Sequence, residues 1–235
     1  MVAPEGLIVA IDTSGDVAGV AIGEGGILIA ETTWQARQAH SRELLPALDW
    51  LLTRAGRGKD EIAGVCVCLG PGSYAGLRVG LSTTKALAYS LDASLAGVGR
   101  LAADALPIAL TTDARVIPLQ AAGRAELAWA AYAGIRTYGH TGRELDELIA
   151  PRLDPAGVLL EAIQPGDIVC GELRSLPAPL IDSIIARGAR IVEVSPNRVI
   201  AIAALGQARL ARGDIDNADT LVPMYLRAPA IGPQR

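Results

Sequence analysis

Apolar runs separated by turn residues dominate the first part of the chain. The runs Leu7–Ile11, Ala18–Ile22 and Ile27–Thr33 predict three short strands, and Gly25-Gly26 predicts a hairpin turn between the last two. The spacing of the apolar residues then changes to that of a helix. Leucines at positions 44, 45, 48, 51 and 52 would share one helical face. A chain that begins with three strands and continues into a helix indicates a mixed α/β unit.

The next segments alternate between strand and helix patterns. The continuous apolar run Val65–Leu69 is typical of a strand that is covered on both faces. The other predicted elements are a helix at Leu77–Leu91, a strand at Ser94–Val98 and a helix at Arg100–Leu106 that ends at Pro107. Three antiparallel strands followed by βα units form the core of ribonuclease-H-like proteins. The same core is the subdomain of actin, Hsp70 and the sugar kinases.

The second half is less regular and favours a reduced second copy of the first unit. Its predicted strands are Val116–Gln120, Glu126–Ala133, Asp167–Gly171 and Arg190–Val194, and its predicted helices are Arg143–Ala150, Pro155–Ile163, Leu180–Arg187 and Asn197–Arg212, the last capped by Ser195. We therefore predict an α/β protein of two ribonuclease-H-like subdomains, actin/Hsp70-type, with the second reduced. We assign residues 1–106 to the first and 107–213 to the second, and expect a tail at 214–235 to pack back on the first.

Composition and charge limit the functions that this fold can carry. The chain has 235 residues, of which 51% are hydrophobic, but no phenylalanine, so its core must pack through small and aliphatic side chains. A formal net charge of −4 argues against unaided binding of nucleic acid, which depends on lysine and arginine. Three cysteines, two of them in an apolar run, indicate reduced thiols and a cytoplasmic protein. We expect neither a secretion signal nor a membrane span.

The most patterned segment runs from Gly70 to Gly80 and looks like a glycine loop that opens a helix. Gly70, Pro71 and Gly72 predict a turn, and Ser73 is a candidate helix cap. Helix starts of this kind can bind anions through their free N–H groups. A plain glycine turn between a strand and a close-packed helix is the simpler interpretation.

The spacing of the residues in this loop does not fit three more specific motifs. The loop has neither the lysine position of a Walker A motif nor the spacing of a nucleophile elbow. Gly70, Gly72 and Ala75 match the dinucleotide fingerprint, but the next strand leads to Arg100 instead of an acidic residue. We expect Arg78 to bond a neighbouring carbonyl or carboxylate rather than a phosphate.

Two glycines inside the predicted helix need a reason, because each costs roughly 1 kcal/mol relative to alanine. Gly76 and Gly80 lie one turn apart on one face, with Thr84 next. We predict that another helix lies very close along this face.

Asp12-Thr13-Ser14-Gly15 follows the first strand and admits two interpretations. It could contact metal-bound phosphates, as in kinase-like proteins, or form an Asx-type turn through local hydrogen bonds. A nuclease would need an acid on the fourth strand, which has none. The only histidines, His40 and His140, have no metal-binding spacing, so we predict no metal site.

Four motifs resemble the TsaB family, the bacterial partner proteins of the tRNA threonylcarbamoyladenosine pathway. In the family's order they are Ile11-Asp12-Thr13-Ser14, His40-Ser41-Arg42-Glu43-Leu44-Leu45-Pro46, the whole segment from Gly70 to Gly80, and Pro223-Met224-Tyr225-Leu226-Arg227. The resemblance covers the first half and the C-terminal tail, and it is weak between about residues 109 and 191.

The resemblance implies a noncatalytic subunit that requires no cofactor, and it leaves ATP or ADP binding at Asp12 open. It implies pairing with a TsaD-like transferase, a TsaE-like ATPase in the same complex and contact with tRNA through that complex. The complex moves threonylcarbamoyl from its adenylate to the adenosine next to the anticodon. Two helices would form the TsaD contact, or a homodimer when the chain is alone. A partner's helix would then pack on Gly76 and Gly80, beside Leu44, Leu45 and Leu48. The implied interface residues are His40, Leu44, Leu45, Leu48, Ser73, Tyr74, Gly76, Leu77, Gly80 and Thr84.

Two positions depart from the family pattern. Ala75 stands where the family usually has threonine, and Ala121 stands where an aspartate usually precedes the second-domain strand. A role for that aspartate is therefore in doubt in this chain. Three other functions stay open: a phosphotransferase or ATPase of the sugar-kinase class, a peptidase, and an NAD-binding module.

Overall fold

Two five-stranded mixed sheets organise the computed structural model, which describes residues 6–36, 40–123, 125–138 and 142–226. The first sheet contains β1 (Leu7–Asp12), β2 (Val17–Glu24), β3 (Ile27–Gln35), β4 (Ile62–Gly70) and β5 (Ser94–Gly99). The second contains β6 (Val116–Ala121), β7 (Glu126–Tyr138), β8 (Gly142–Pro155), β9 (Ile168–Gly171) and β10 (Arg190–Ile191). The strand orders are β3-β2-β1-β4-β5 and β10-β9-β6-β7-β8.

The two sheets have the same topology. In each, the first three strands form an antiparallel meander, and the fourth and fifth run parallel to the first. The second sheet is reduced, because β9 and β10 contain four and two residues. The predicted pair of ribonuclease-H-like subdomains, the second reduced, is therefore confirmed.

In each unit, one α-helix follows each of the last three strands. The helices are α1 (His40–Ala55), α2 (Tyr74–Leu91) and α3 (Arg100–Ala109) in the first unit, and α4 (Ala156–Ala162), α5 (Ala178–Ala186) and α6 (Val199–Ala211) in the second. Helices α1 and α2 cover the outer face of the first sheet, and α4 and α5 cover the outer face of the second.

The third helix of each unit packs on the sheet of the other unit. Helix α6 contacts β1, β2, β4 and β5 and, in its own sheet, β8. Helix α3 contacts β6, β7, β8 and β9 and, in its own sheet, β4 and β5. Gly206 permits the close approach of α6, because a Cβ there would overlap the side chain of Cys66 on β4. Helices α3 and α6 share one apolar core that fills the space between the sheets.

Several local predictions differ from the structure. Residues 143–150, predicted as a helix, belong to β8, because pairing with the long strand β7 overrides the helical preference of this acidic segment. Pro107 lies in the last turn of α3 instead of ending it. The residue that caps α6 is Arg198 rather than Ser195.

The C-terminal segment, Asp214–Leu226, runs back along the first sheet. Asp216 bonds the outer edge of β5 twice, through its N–H at 2.8 Å and its carboxylate at 2.6 Å. The Met224 N–H donates to the end of β4 at 2.8 Å. Arg209, in the last turn of α6, binds the carboxylates of Asp214 and Asp216 at 2.8 Å each. The segment thus covers a sheet edge that would otherwise expose unpaired backbone groups.

The glycine face of α2 points into the chain's own sheet. A Cβ on Gly80 would overlap Oγ1 of Thr13, and that hydroxyl donates to the carbonyl of Gly76 at 2.7 Å. Thr84 is fully buried on the same face and donates to the Gly80 carbonyl at 2.8 Å. The prediction that these glycines leave room for a partner's helix is therefore wrong, because Thr13 fills the space.

We expect Gly80→Ala to lower the free energy of unfolding by about 1–3 kcal/mol, because the added methyl overlaps Thr13 in a packed core. Adding Thr13→Ala should recover part of the loss, since it removes the overlapping oxygen. Gly157→Ala is the matched control, because a Cβ there meets nothing within 4 Å in α4. Urea denaturation followed by circular dichroism measures all three. Equal stability of Gly80→Ala and the wild type would contradict this packing.

A second prediction concerns acid stability. Hydrogen bonding to Arg209 holds the pKa of Asp214 at about 2, below its usual 3.8. A depressed pKa contributes stability above pH 4 that is lost as the pH falls toward 2. Asp214→Asn should therefore lower the melting temperature at pH 7 but not at pH 2, whereas exposed Asp219→Asn should change neither. An Asp214→Asn deficit that persists at pH 2 would refute the assignment.

Candidate functional site

A cleft of about 580 Å³ opens where the carboxyl ends of the two sheets meet. Its walls are the loops after β1, β4, β6 and β9, the start of α2 and the end of the C-terminal segment. Ligand pockets in proteins commonly occupy about 300–1,000 Å³. The cleft is therefore the candidate binding site of the chain.

The loops after β1 and β4 are packed backbone against backbone at the floor of this cleft. The Ser14 N–H donates to the Asp12 carboxylate at 2.8 Å, which is the Asx-type turn considered from the sequence. The Ser73 N–H donates to the Ser14 carbonyl at 2.8 Å, and Gly72 allows this contact because a Cβ would overlap that carbonyl. The glycine turn thus brings the start of α2 onto the end of β1. Gly15 stands beside this contact and lines the cleft.

Two buried arginines lie behind these loops. Arg100 opens α3 and donates to the Glu172 carboxylate across the cleft, with longer bonds to the Ser14 and Pro71 carbonyls. Arg198 caps α6 and donates to Asp104 of α3 at 2.6 Å. Glu172 also lies 3.6 Å from Arg198. This set, which we call the ion cluster (Arg100, Asp104, Glu172 and Arg198), joins the two units.

Burial governs the electrostatics of the ion cluster. Desolvation raises the pKa of Asp104, although Arg198 and Arg100 act in the opposite direction. Burial also lowers the pKa of Arg198, but Asp104 and Asp12 more than offset this and the pKa is raised overall. Burial raises the pKa of the Cys66 and Cys68 thiols to about 12, so these cysteines are uncharged packing groups.

The mouth of the cleft carries an aromatic stack. The rings of Tyr74 and Tyr225 lie 5.3 Å apart at an interplanar angle of 29°. Arg78 donates to the Tyr74 hydroxyl at 2.8 Å and places its guanidinium 5.2 Å from the ring centre. The partner of Arg78 is thus a phenol, not the carbonyl or carboxylate that the sequence suggested.

The structure separates the predicted interface residues into two groups. Leu45, Ser73 and Tyr74 are exposed, so a partner can contact them. The buried group packs within the chain and can only support such a contact; it comprises Leu44, Leu48, Gly76, Leu77, Gly80 and Thr84. The side chain of His40 lies outside the described part of the chain, as do His140 and Arg227.

Sequence reasoning missed the ion cluster. Arg100 and Asp104 stand one turn apart in an otherwise apolar helix, and Arg198 precedes another apolar helix. Charged residues are almost never fully buried unless they are paired, so this isolated placement was the available signal. Within the described residues, no three His, Cys, Asp or Glu side chains are grouped to hold a metal ion. No helix in the described part is long and apolar enough to cross a membrane.

The fold and the cleft define the class of the protein. It is an α/β protein of two ribonuclease-H-like units that face each other across a cleft. A family model described as "TsaD: tRNA N6-adenosine threonylcarbamoyltransferase" matches residues 29–218. The chain therefore belongs to the TsaD family.

Individual relatives refine this assignment. The chain is 36% identical over 94 residues to the tRNA threonylcarbamoyladenosine biosynthesis protein TsaB of Bacillus subtilis (strain 168), covering 40% of this chain and 41% of that protein. It is 33% identical over 135 residues to the tRNA N6-adenosine threonylcarbamoyltransferase of Methylobacterium sp. (strain 4-46), covering 56% of this chain and 38% of that protein. The matches thus span about two fifths of the length of these curated relatives. The resemblance to TsaB is confirmed.

A solved structure shows the same fold. YeaZ from Pseudomonas aeruginosa superposes with a TM-score of 0.76 at 21% identity, covering 92% of this chain and 99% of that one. At this identity the similarity concerns the fold alone.

We expect Asp104→Leu to cost about 3–5 kcal/mol of unfolding free energy, because the buried Arg198 loses its carboxylate partner at 2.6 Å and keeps only Glu172 at 3.6 Å. The double variant Asp104→Leu/Arg198→Met removes both charges and should recover most of that loss. Urea titrations of the two variants measure the difference. A double variant no more stable than the single one would show that the pair is not coupled.

Proposed function

We propose that the chain is a noncatalytic scaffold subunit of a tRNA threonylcarbamoyladenosine-modifying complex. In the cytoplasm it would pair with a TsaD-like transferase, assisted by a TsaE-like ATPase, and would touch tRNA only within that complex. The family membership and the relatives named TsaB support the pathway. The net charge of −4 fits a subunit that leaves tRNA binding to its partners.

The outer surface of the helical layer carries the proposal. Helices α1 and α2 pack side by side on one sheet face, so their outer faces form one continuous surface. Three large side chains point outward from it: Leu45 is 51% exposed, Trp50 52% and Tyr89 87%. Aromatic residues are enriched at protein interfaces relative to the rest of the surface. We call this set the helical surface.

The corrected position of the glycines fits this role. Close packing of α2 on β1 and β4 fixes the distance between the helix and the sheet, so the helical surface is held in place before any partner binds. A preformed surface reduces the ordering cost of association. The same surface would pair two copies of the chain when the transferase is absent.

One feature favours a second candidate, a phosphotransferase or ATPase of the sugar-kinase class. The cleft lies beside Asp12-Thr13-Ser14-Gly15, the loop that contacts phosphates in kinase-like proteins. Against it, the Ser14 carbonyl is covered by Ser73, and Arg100 is already bonded to Glu172. Turnover of ATP by the purified chain would support this candidate.

Reconstitution tests the scaffold proposal. Purified tRNA, threonylcarbamoyl-adenylate and the TsaD-like subunit are combined with and without this chain, and modified adenosine is quantified. We expect modification to depend on the chain, and the chain to form no product without the transferase. Equal rates with and without it would remove the proposal.

A matched pair of variants tests the surface. Leu45→Glu places a charge in the helical surface and should weaken pairing with the transferase at least tenfold in gel filtration and calorimetry. Ile185→Glu is the control, because Ile185 is 52% exposed on α5 of the other unit. Both should leave the melting temperature nearly unchanged. Equal pairing by both variants would place the interface elsewhere.

A further inference from the structure

The outer edge of β5 shows how the chain covers the free edge of a sheet. The Asp216 N–H donates to the Leu95 carbonyl at 2.8 Å, and the Gly97 N–H donates to the Asp216 carboxylate at 2.6 Å. A segment that carries an aspartate thus satisfies outward-facing backbone groups of β5. A strand edge without such a segment presents unpaired N–H and C=O groups to other chains.

Strand β10 holds the equivalent position in the second sheet. Each of the two strands is the fifth of its sheet and runs parallel to the fourth. Leu95 and Ile191 are each the second residue of their strand, so Gly97 corresponds to Glu193, two residues further on. The backbone groups that Asp216 satisfies on β5 therefore have counterparts on Ile191 and Glu193.

The outer edge of β10 is uncovered. The N–H groups of Arg190 and Val192 donate at 2.8 and 2.9 Å to carbonyls in and just before β9. Because successive residues of a strand direct their backbone groups to opposite sides, those of Ile191 and Glu193 face outward. No residue in the described part of the chain bonds the Ile191 carbonyl or the Glu193 N–H.

A groove of about 540 Å³ lies between this edge and α3. It shares no lining residue with the cleft between the two units. The apolar part of its lining consists of Ala103, Pro107, Ile108, Ile168, Val192 and Val194. Alternate side chains of a strand added to β10 point to the same side as Val192 and Val194, so they enter the groove.

Arg190 supplies the groove with an unpaired positive charge. Of the two arginines in the lining, Arg198 belongs to the ion cluster, whereas Arg190 is exposed and pairs with no carboxylate among the described residues. The Glu193 carboxylate is bonded to Arg174 at 2.8 Å. The groove therefore favours a segment that carries an acidic residue, as the segment on β5 does.

We propose that the free edge of β10 binds an extended segment of a partner protein by strand addition. The segment runs parallel to β10, donates an N–H to the Ile191 carbonyl and accepts the Glu193 N–H. Its apolar side chains occupy the groove, and an acidic side chain pairs with Arg190. In strand addition the main chain provides affinity and the side-chain pockets provide specificity. The inference is independent of the proposed function, because it concerns a surface apart from the helical surface.

Fluorescence polarisation with the full chain and the labelled hexapeptide Asp-Thr-Val-Thr-Val-Thr tests the kind of occupant. The peptide places one carboxylate and two valines on one side. We expect saturable binding, about threefold weaker when lysine replaces aspartate. N-methylation of the valines should abolish binding, because it removes the donors that face the edge, and N-methylation of the threonines should not. No binding at millimolar concentration, or binding that survives both methylations, would overturn the proposal.

A matched pair of variants tests the edge itself, and circular dichroism checks that each is folded. Glu193→Pro removes the outward N–H at a position where an edge strand tolerates proline, and should weaken peptide binding about tenfold. Glu193→Ala keeps the N–H and loses the same ion pair with Arg174, so it should change binding less than about twofold. Equal binding by the two variants would refute strand addition.

Arg190→Gln tests the charge preference without changing the backbone. It should make the aspartate and lysine peptides bind equally. An unchanged preference for the aspartate peptide would contradict the role of Arg190.

Sedimentation velocity of the chain alone tests a second copy as the occupant. We expect the wild type, Glu193→Pro and Glu193→Ala to share one association state. Self-association that Glu193→Pro abolishes and Glu193→Ala keeps would assign the edge to a second copy and overturn the proposal.

Discussion

The exchange of α3 and α6 between the sheets is the constraint on which the rest of the structure depends. Each helix follows the last strand of its own unit but packs mainly on the sheet of the other. One apolar core therefore joins both sheets and both helices. Because the inner face of each sheet is covered mainly by the helix of the other unit, the two units depend on each other for burial. The cleft between them is a fixed product of this packing.

The ion cluster lies where the exchanged helices begin. A buried ion pair such as Arg198 with Asp104 is weak support for stability, because desolvation offsets most of the attraction. It does penalise any arrangement that separates the two charges. The core that surrounds the two helices is built mainly of alanine, leucine and isoleucine, which carry no charge that could set the relative position of the helices. We infer that the cluster fixes this position, and that Glu172 extends it across the cleft.

Small residues carry much of the remaining packing. Strand β4 is covered on both faces by helices that approach closely, α2 through Gly80 and α6 through Gly206. A chain without phenylalanine gains area by such close approach rather than by large side chains. The consequence for function is a division of α2: its inner face is committed to the core, and its outer face remains for a partner.

The sequence by itself determined the elements whose pattern is local. These are the first three strands, the glycine turn at Gly25 and Gly26, and helix α6 near the C-terminal end of the chain. Their periods and turn residues act over a few neighbouring positions. Only the tertiary structure decided that residues 143–150 form a strand, that Gly80 faces Thr13, and that Arg198 meets Asp104. These outcomes depend on residues far apart in sequence. Glycines on one face of a helix indicate that another group packs closely there, but only the tertiary structure shows which group it is.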